Sequence, residues 1–144
     1  MFSTGTECTA SEVFFQYQCV LIKDAEDATE ALLQTIRQSQ QRVSLAVMET
    51  FAKRAPAGYL SFAQQGVTLA LDFPNRGMAT LNLLDQLDKI VLTSQGRIYP
   101  AKDARMSAAH FQQCYPNWEK FCTYIDPLHS SNFWRRVTAN KHSL

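Results

Sequence analysis

No surplus of either charge runs through this sequence: fourteen Lys and Arg stand against thirteen Asp and Glu, a formal net charge of +1 over 144 residues. A nucleic-acid partner needs cations gathered on one face, and here they are spread along the chain, which argues against a polyanion. Long apolar runs are missing too. No window approaches the roughly 20 apolar residues of a membrane-crossing helix, and the opening MFSTGTECTASE lacks the basic-then-apolar order of a secretory signal. Cys8, Cys19, Cys114 and Cys122 form no C-x-x-C pair. That removes the zinc-ribbon pattern and leaves too few thiols for a disulfide scaffold. The expectation is a soluble, cytoplasmic protein with small buried or half-buried thiols and no metal. There is no glycine-rich phosphate loop and no nucleophile elbow. His110, His129 and His142 have no carboxylate or cysteine at ligand spacing and read as surface or loop residues. Asp126-Pro127 reads as a helix-ending turn.

What is present is periodicity. In VFFQYQCVLI, residues 13–22, alternation puts Val13, Phe15, Tyr17, Cys19 and Leu21 on one apolar face. Phe14, Gln16, Gln18, Val20 and Ile22 form the other, with two amides in its middle. Next, KDAEDATEALLQTIRQSQQR predicts an amphipathic helix capped by Asp24, with acids in its first turn and Leu32, Leu33 and Ile36 on its stripe. An extended segment, VSLAVMETFAKRAP, is broken at Ala55-Pro56 and Gly58. VTLALDFP then predicts a strand with Val67, Leu69, Leu71 and Phe73 on one face and Thr68, Ala70 and Asp72 on the other. A long helix is expected from about Gly77 to Ser94, striped by Leu81, Leu84, Leu87, Ile90 and Val91 and ended by a left-handed Gly96. A brief strand, RIYP, precedes helical turns from Ser107, an aromatic-rich section and a short terminal helix.

The order β-α-β-β-α-β predicts an α+β, ferredoxin-like split βαβ antiparallel sheet with helices on one face, plus C-terminal helices. Residues 1–11 read as a flexible tail and 12–144 as the domain. The second sheet face, carrying Gln16, Gln18, Thr68, Ala70 and Asp72, offers paired donors and acceptors to a ligand, or simply meets water or another domain. Residue types alone carry the reading no further.

Three segments in order and in register carry a resemblance across about Phe14 to Arg136: FFQYQCVLI, GVTLALDFP, and GRIYPAKDAR followed by FQQCYPNWEKF and IDP. Together they resemble the C-terminal half of the decaprenylphosphoryl-β-D-ribose 2′-oxidase family, flavoproteins of the vanillyl-alcohol-oxidase type. The resemblance implies a cap over the flavin of an FAD-dependent oxidoreductase. In such an enzyme, hydride passes from a sugar or sugar-lipid carbinol carbon to the flavin. It implies Lys102 and Gln18 as catalytic residues, with Tyr99 and Lys102 against the cofactor. Gln16, Gln18, Glu49, Thr68 and Ala70 would line the substrate pocket. Glu49 stands where the family has a lysine, so a pyrophosphate-lipid would be held less well unless Lys53 or Arg54 compensates. Thr68 and Ala70 replace an asparagine and a cysteine. The N-terminal FAD-binding domain of the family has no counterpart in these residues, so turnover without that partner is not expected. The rival readings are a stand-alone ferredoxin-like module that binds a ligand or protein, and the cap of a sugar-lactone oxidase.

Overall fold

Two stretches of strict alternation meet as the central pair of the sheet. In the computed structural model, which describes residues 13–102, 105–126 and 128–139, FFQYQCVL forms β1 (Phe14–Leu21) and GVTLALDFP forms β3 (Gly66–Pro74). They run antiparallel, with Gln16 opposite Asp72, Gln18 opposite Ala70 and Val20 opposite Thr68. β2 (Leu45–Phe51) pairs with the far side of β3 and the two-residue β4 (Arg97–Ile98) with β1, giving the order β2-β3-β1-β4. All neighbours are antiparallel. With α1 (Ala25–Gln38) and α2 (Met78–Thr93) crossing between strands, this is the ferredoxin-like split βαβ arrangement. After β4 come a 3₁₀ turn (Pro100–Lys102), α3 (Ala108–Cys114), α4 (Trp118–Cys122) and α5 (Asn132–Thr138). Among the described residues, no helix is long and apolar enough to cross a membrane.

The core lies between the sheet and the two long helices. Tyr17, Cys19 and Leu21 of β1 and Leu69, Leu71 and Phe73 of β3 meet Leu32 and Ile36 of α1 and Leu84, Leu87 and Val91 of α2. Burying each such side chain contributes about 1.5–3 kcal/mol. Phe111, Tyr115 and Trp118 extend this core beyond β4. Cys19 and Cys114 are buried free thiols and Cys122 is half-buried. Burial pushes the Cys19 thiol up to about 12, so it stays protonated. Cys8, His142 and the tail lie outside the described residues.

Several local expectations are corrected. Asp24 does precede α1, but in the left-handed conformation (φ 49°, ψ 46°), and its carboxylate makes no cap bond. At the end of α2 the left-handed residue is Gln95 (φ 54°) rather than Gly96. Gly96 is there for a different reason, close approach. A Cβ at this position would stand 2.2 Å from the Val20 carbonyl oxygen and 2.9 Å from that of Val91. Both obstacles are backbone, so Gly96→Ala is expected to cost about 2–3 kcal/mol, measured as a lower midpoint in urea unfolding.

The face away from the helices is only partly open. Val20 is 0% and Thr68 3% exposed although neither faces a helix. Cover comes from the connection between β2 and β3, where Phe62 stands edge-on to Phe51 and 4.8 Å from the Tyr99 ring. Arg97 donates to the carbonyl of Ser61 and lies 5.3 Å over the Tyr115 ring. The open part of the face is therefore its other end, around Phe14, Gln16, Asp72, Leu45 and Val47.

Candidate functional site

β4 is so short that it covers only the Cys19–Val20 stretch of β1. Beyond it the chain turns away, and the outer edge of β1 is left as a notch. Tyr99 N–H donates to the Gln18 carbonyl (2.8 Å), and Lys102 N–H closes the 3₁₀ turn onto the Tyr99 carbonyl (3.2 Å). This turn carries Lys102 back across the edge, where its Nζ donates to Gln16 Oε1 at 3.0 Å. Gln16, Gln18, Tyr99 and Lys102 thus line one small cavity. Phe15, Tyr17, Leu84, Ile98 and Arg105 complete its wall. Its volume is about 10 Å³, close to what one water requires. A sugar or a flavin ring cannot be enclosed there and could only lie across the mouth, against a second surface.

The remaining candidate residues are less gathered. Glu49 faces the same side as Thr68, and Ala70 sits between Gln18 and Val47 in one cross-strand row. Glu49 is exposed. Thr68 is buried, with its hydroxyl donating to the Cys19 carbonyl at 2.9 Å, so that hydroxyl is already engaged. The structure brings four of the seven residues together at the notch. Ala70 adjoins them through Gln18, while Glu49 and Thr68 lie further along the face.

Behind the notch stands a polar network that periodicity does not mark. Asp88, on the apolar stripe of α2, is 4% exposed. It accepts from the Tyr17 hydroxyl at 3.0 Å and from Arg105 Nη2 at 2.8 Å. Arg105 Nη1 reaches Asp85 at 2.7 Å. His110 Nδ1 approaches Asp88 at 3.7 Å, which corrects its reading as a surface residue; it belongs to α3 and faces a buried carboxylate. Burial holds the Asp88 carboxyl above its usual range, opposed by Arg105, His110 and the Tyr17 bond. Burial, with Cys19 and Asp88 adding to it, pushes the Tyr17 hydroxyl well up, so it remains a donor. The one available signal for Asp88 was its position, four residues after Leu84 and three before Val91, on a stripe that otherwise buries leucine and valine. His129 is exposed and 3.2 Å from Asp126. Among the described residues, no group of three His, Cys, Asp or Glu could hold a metal ion.

No family model matches the chain. It is similar to decaprenylphosphoryl-β-D-ribose oxidase of Mycolicibacterium smegmatis, 31% identical over 144 aligned positions that take in 95% of this chain and 30% of that protein. It is also similar to a Streptomyces coelicolor protein described as an uncharacterized protein in the mprA 5′ region. There the identity is 29% over 126 positions, covering 84% of this chain and 34% of that protein. The chain therefore spans about a third of the length of these curated relatives.

Proposed function

We propose that residues 12–144 are the substrate-binding and flavin-capping portion of an FAD-dependent oxidoreductase that oxidises a sugar hydroxyl by hydride transfer. A separate FAD-binding domain, on the same or a split polypeptide, would hold the cofactor. The reading is carried by the convergence of Lys102, Gln16, Gln18 and Tyr99 on one notch too small to enclose a ligand. Likeness to a protein named as a sugar-lipid oxidase supports it. The donor set suits a flavin: an ammonium and two amides complement its carbonyl-bearing edge, and the Tyr99 ring offers a flat apolar surface. Nothing in the sequence supplies a glycine-rich cradle for the FAD pyrophosphate, so under this reading the FAD-binding domain would supply that grip.

Bound flavin would supply the two-electron acceptor for the hydride, and the hydroxyl proton would leave to water at the open mouth of the notch. Lys102 places a fixed positive charge where negative charge grows during the transfer, an interaction stronger in the transition state than before it. Gln18 accepts from and donates to the sugar hydroxyls, setting which C–H is presented. Gln16 holds the lysine. Glu49 and Asp72 on the same face disfavour an anionic lipid carrier at the β2–β3 end and favour a neutral polyol there.

Mixed with an FAD-binding domain of this oxidase type, the chain is expected to give a yellow complex bleached anaerobically by a sugar alcohol. A colourless mixture without association would instead support a self-contained binding module, a reading that the cover over Val20 and Thr68 favours. Bleaching by a sugar lactone precursor alone would shift the substrate to the lactone-oxidase class.

A further inference from the structure

We propose that the outer edge of β2, together with the exposed side of α1 beside it, is a two-fold interface between copies of this chain. The proposal is independent of the flavin reading. β2 ends the sheet, and among the described residues β3 is its one neighbour. Proteins ordinarily guard such an edge with Pro, Lys, a bulge or a covering element. LAVMETF contains neither Pro nor Lys, pairs with β3 in unbroken register from Leu45 to Phe51 and is exposed over most of its length. On the helix side, α1 packs over β3 and β1, which leaves Met48 63% exposed although it stands opposite the buried Leu69. Between strand and helix runs a trough floored by Met48 and Val67 and walled by Glu26, Glu30, Leu33 and Arg37.

Its pattern fits its own copy. An antiparallel partner strand is related to β2 by a two-fold axis perpendicular to the sheet, and the same axis sets α1 antiparallel to its copy on the same side. Centred on Met48, all seven residues pair: Leu45 with the copy's Phe51, Ala46 with Thr50, Val47 with Glu49. Centring on Glu49 would instead set two carboxylates opposite each other, which is destabilising. The helix carries the matching signal. Glu26, Thr29, Glu30, Leu33, Gln34 and Arg37 form one stripe along the trough. Reversing that stripe exchanges Glu26 with Arg37, Thr29 with Gln34 and Glu30 with Leu33. An acid at one end therefore meets a cation at the other, twice per dimer. Neither charge is matched within its own helix: Thr29 and Glu30 follow Glu26 by three and four residues, and Leu33 and Gln34 precede Arg37 by four and three. Self-pairing also consumes the edge, so the assembly closes at two copies. The notch lies on the far side of β1, away from β2, and stays open. A seven-residue strand and a fourteen-residue helix give a face about 20 Å long. That is small for a specific interface, so association is expected in the micromolar range.

The test is sedimentation velocity of the 144-residue chain from about 5 to about 200 μM, which brackets a small interface. A reversible monomer–dimer equilibrium is expected, about fivefold weaker in about 0.5 M salt than in about 0.05 M. Glu26→Arg alone, or Arg37→Glu alone, sets like charges together at both ends of the helix pair and should raise the dissociation constant about tenfold. The double reversal should return it to within about twofold of wild type. Met48→Lys, at an exposed position, brings two ammonium groups to the axis and should weaken the dimer by more than about tenfold. A monomer at every concentration overturns the proposal and leaves the trough to another occupant, such as an FAD-binding domain. It is equally overturned by a mass that grows past two copies, by a dimer indifferent to these substitutions, or by a double reversal no tighter than the single ones. A monomer leaves the flavin reading standing, and a mixture that stays colourless leaves the dimer standing.

Discussion

In the flavin complex proposed above, Lys102→Ala is expected to slow flavin reduction by about 10²–10³-fold, the usual loss when one fixed donor is removed from developing negative charge. Because the ammonium would act on the transition state more than on bound substrate, kcat and kcat/KM should fall together while KM moves little. Lys102→Arg should restore only part of the rate. A planar fork cannot replace a point charge at a mouth bounded by Gln16 and Tyr99. Gln16→Ala should cost less, about tenfold, since it removes the lysine's anchor and leaves the charge. Stopped-flow reduction under anaerobic conditions separates these outcomes. A Lys102→Ala complex that is reduced at the wild-type rate would remove this residue from the chemistry and, with it, the main physical reason for reading the notch as an active site.

The sheet was legible because its signal is local. Period-two alternation in FFQYQCVL and VTLALDFP assigns every side chain to a face, and the observed pairing of Gln16 with Asp72 and Gln18 with Ala70 follows those faces residue by residue. The stripe of α2 was legible in the same way. What escaped is non-local. Nothing near Lys102 in the chain indicates that its partner is Gln16, 86 residues away, and the resemblance supplied both residues without their contact. Cover over Val20 comes from a connection whose residues 52–65 have no periodicity to read. Asp88 was hidden by its polarity: a stripe counted in leucines skips the one position where the core accepts a charge, and its justification, Tyr17, lies 71 residues away. Gly96 was correctly placed at a helix end but for the wrong cause, because steric approach to the Val20 carbonyl is a property of the packed sheet rather than of the helix signal.

Asp88→Ala is expected to cost about 2–4 kcal/mol of stability, because it removes one buried acceptor from two partners at once. The Tyr17 hydroxyl, buried and held to Asp88 at 3.0 Å, loses its acceptor, and Arg105 loses its buried carboxylate while its contact with the exposed Asp85 remains. Asp88→Asn should be much milder, since an amide oxygen still accepts from Tyr17 and the side chain resembles the protonated acid. The two variants also separate in pH. Burial raises the folded-state pKa of Asp88 above its ordinary value near 3.8, so the fold favours the protonated form. That contribution is fully present below the ordinary carboxylate range and is lost as pH rises through the raised value. Wild type should therefore lose ground to Asp88→Asn as pH climbs out of the acid range, and their stability difference should level off once Asp88 is fully ionised. Urea midpoints taken across that range provide the check. A difference that instead grows in favour of wild type with rising pH would mean that Arg105 and His110 outweigh desolvation, and that Asp88 is held in the fold as a stabilised anion.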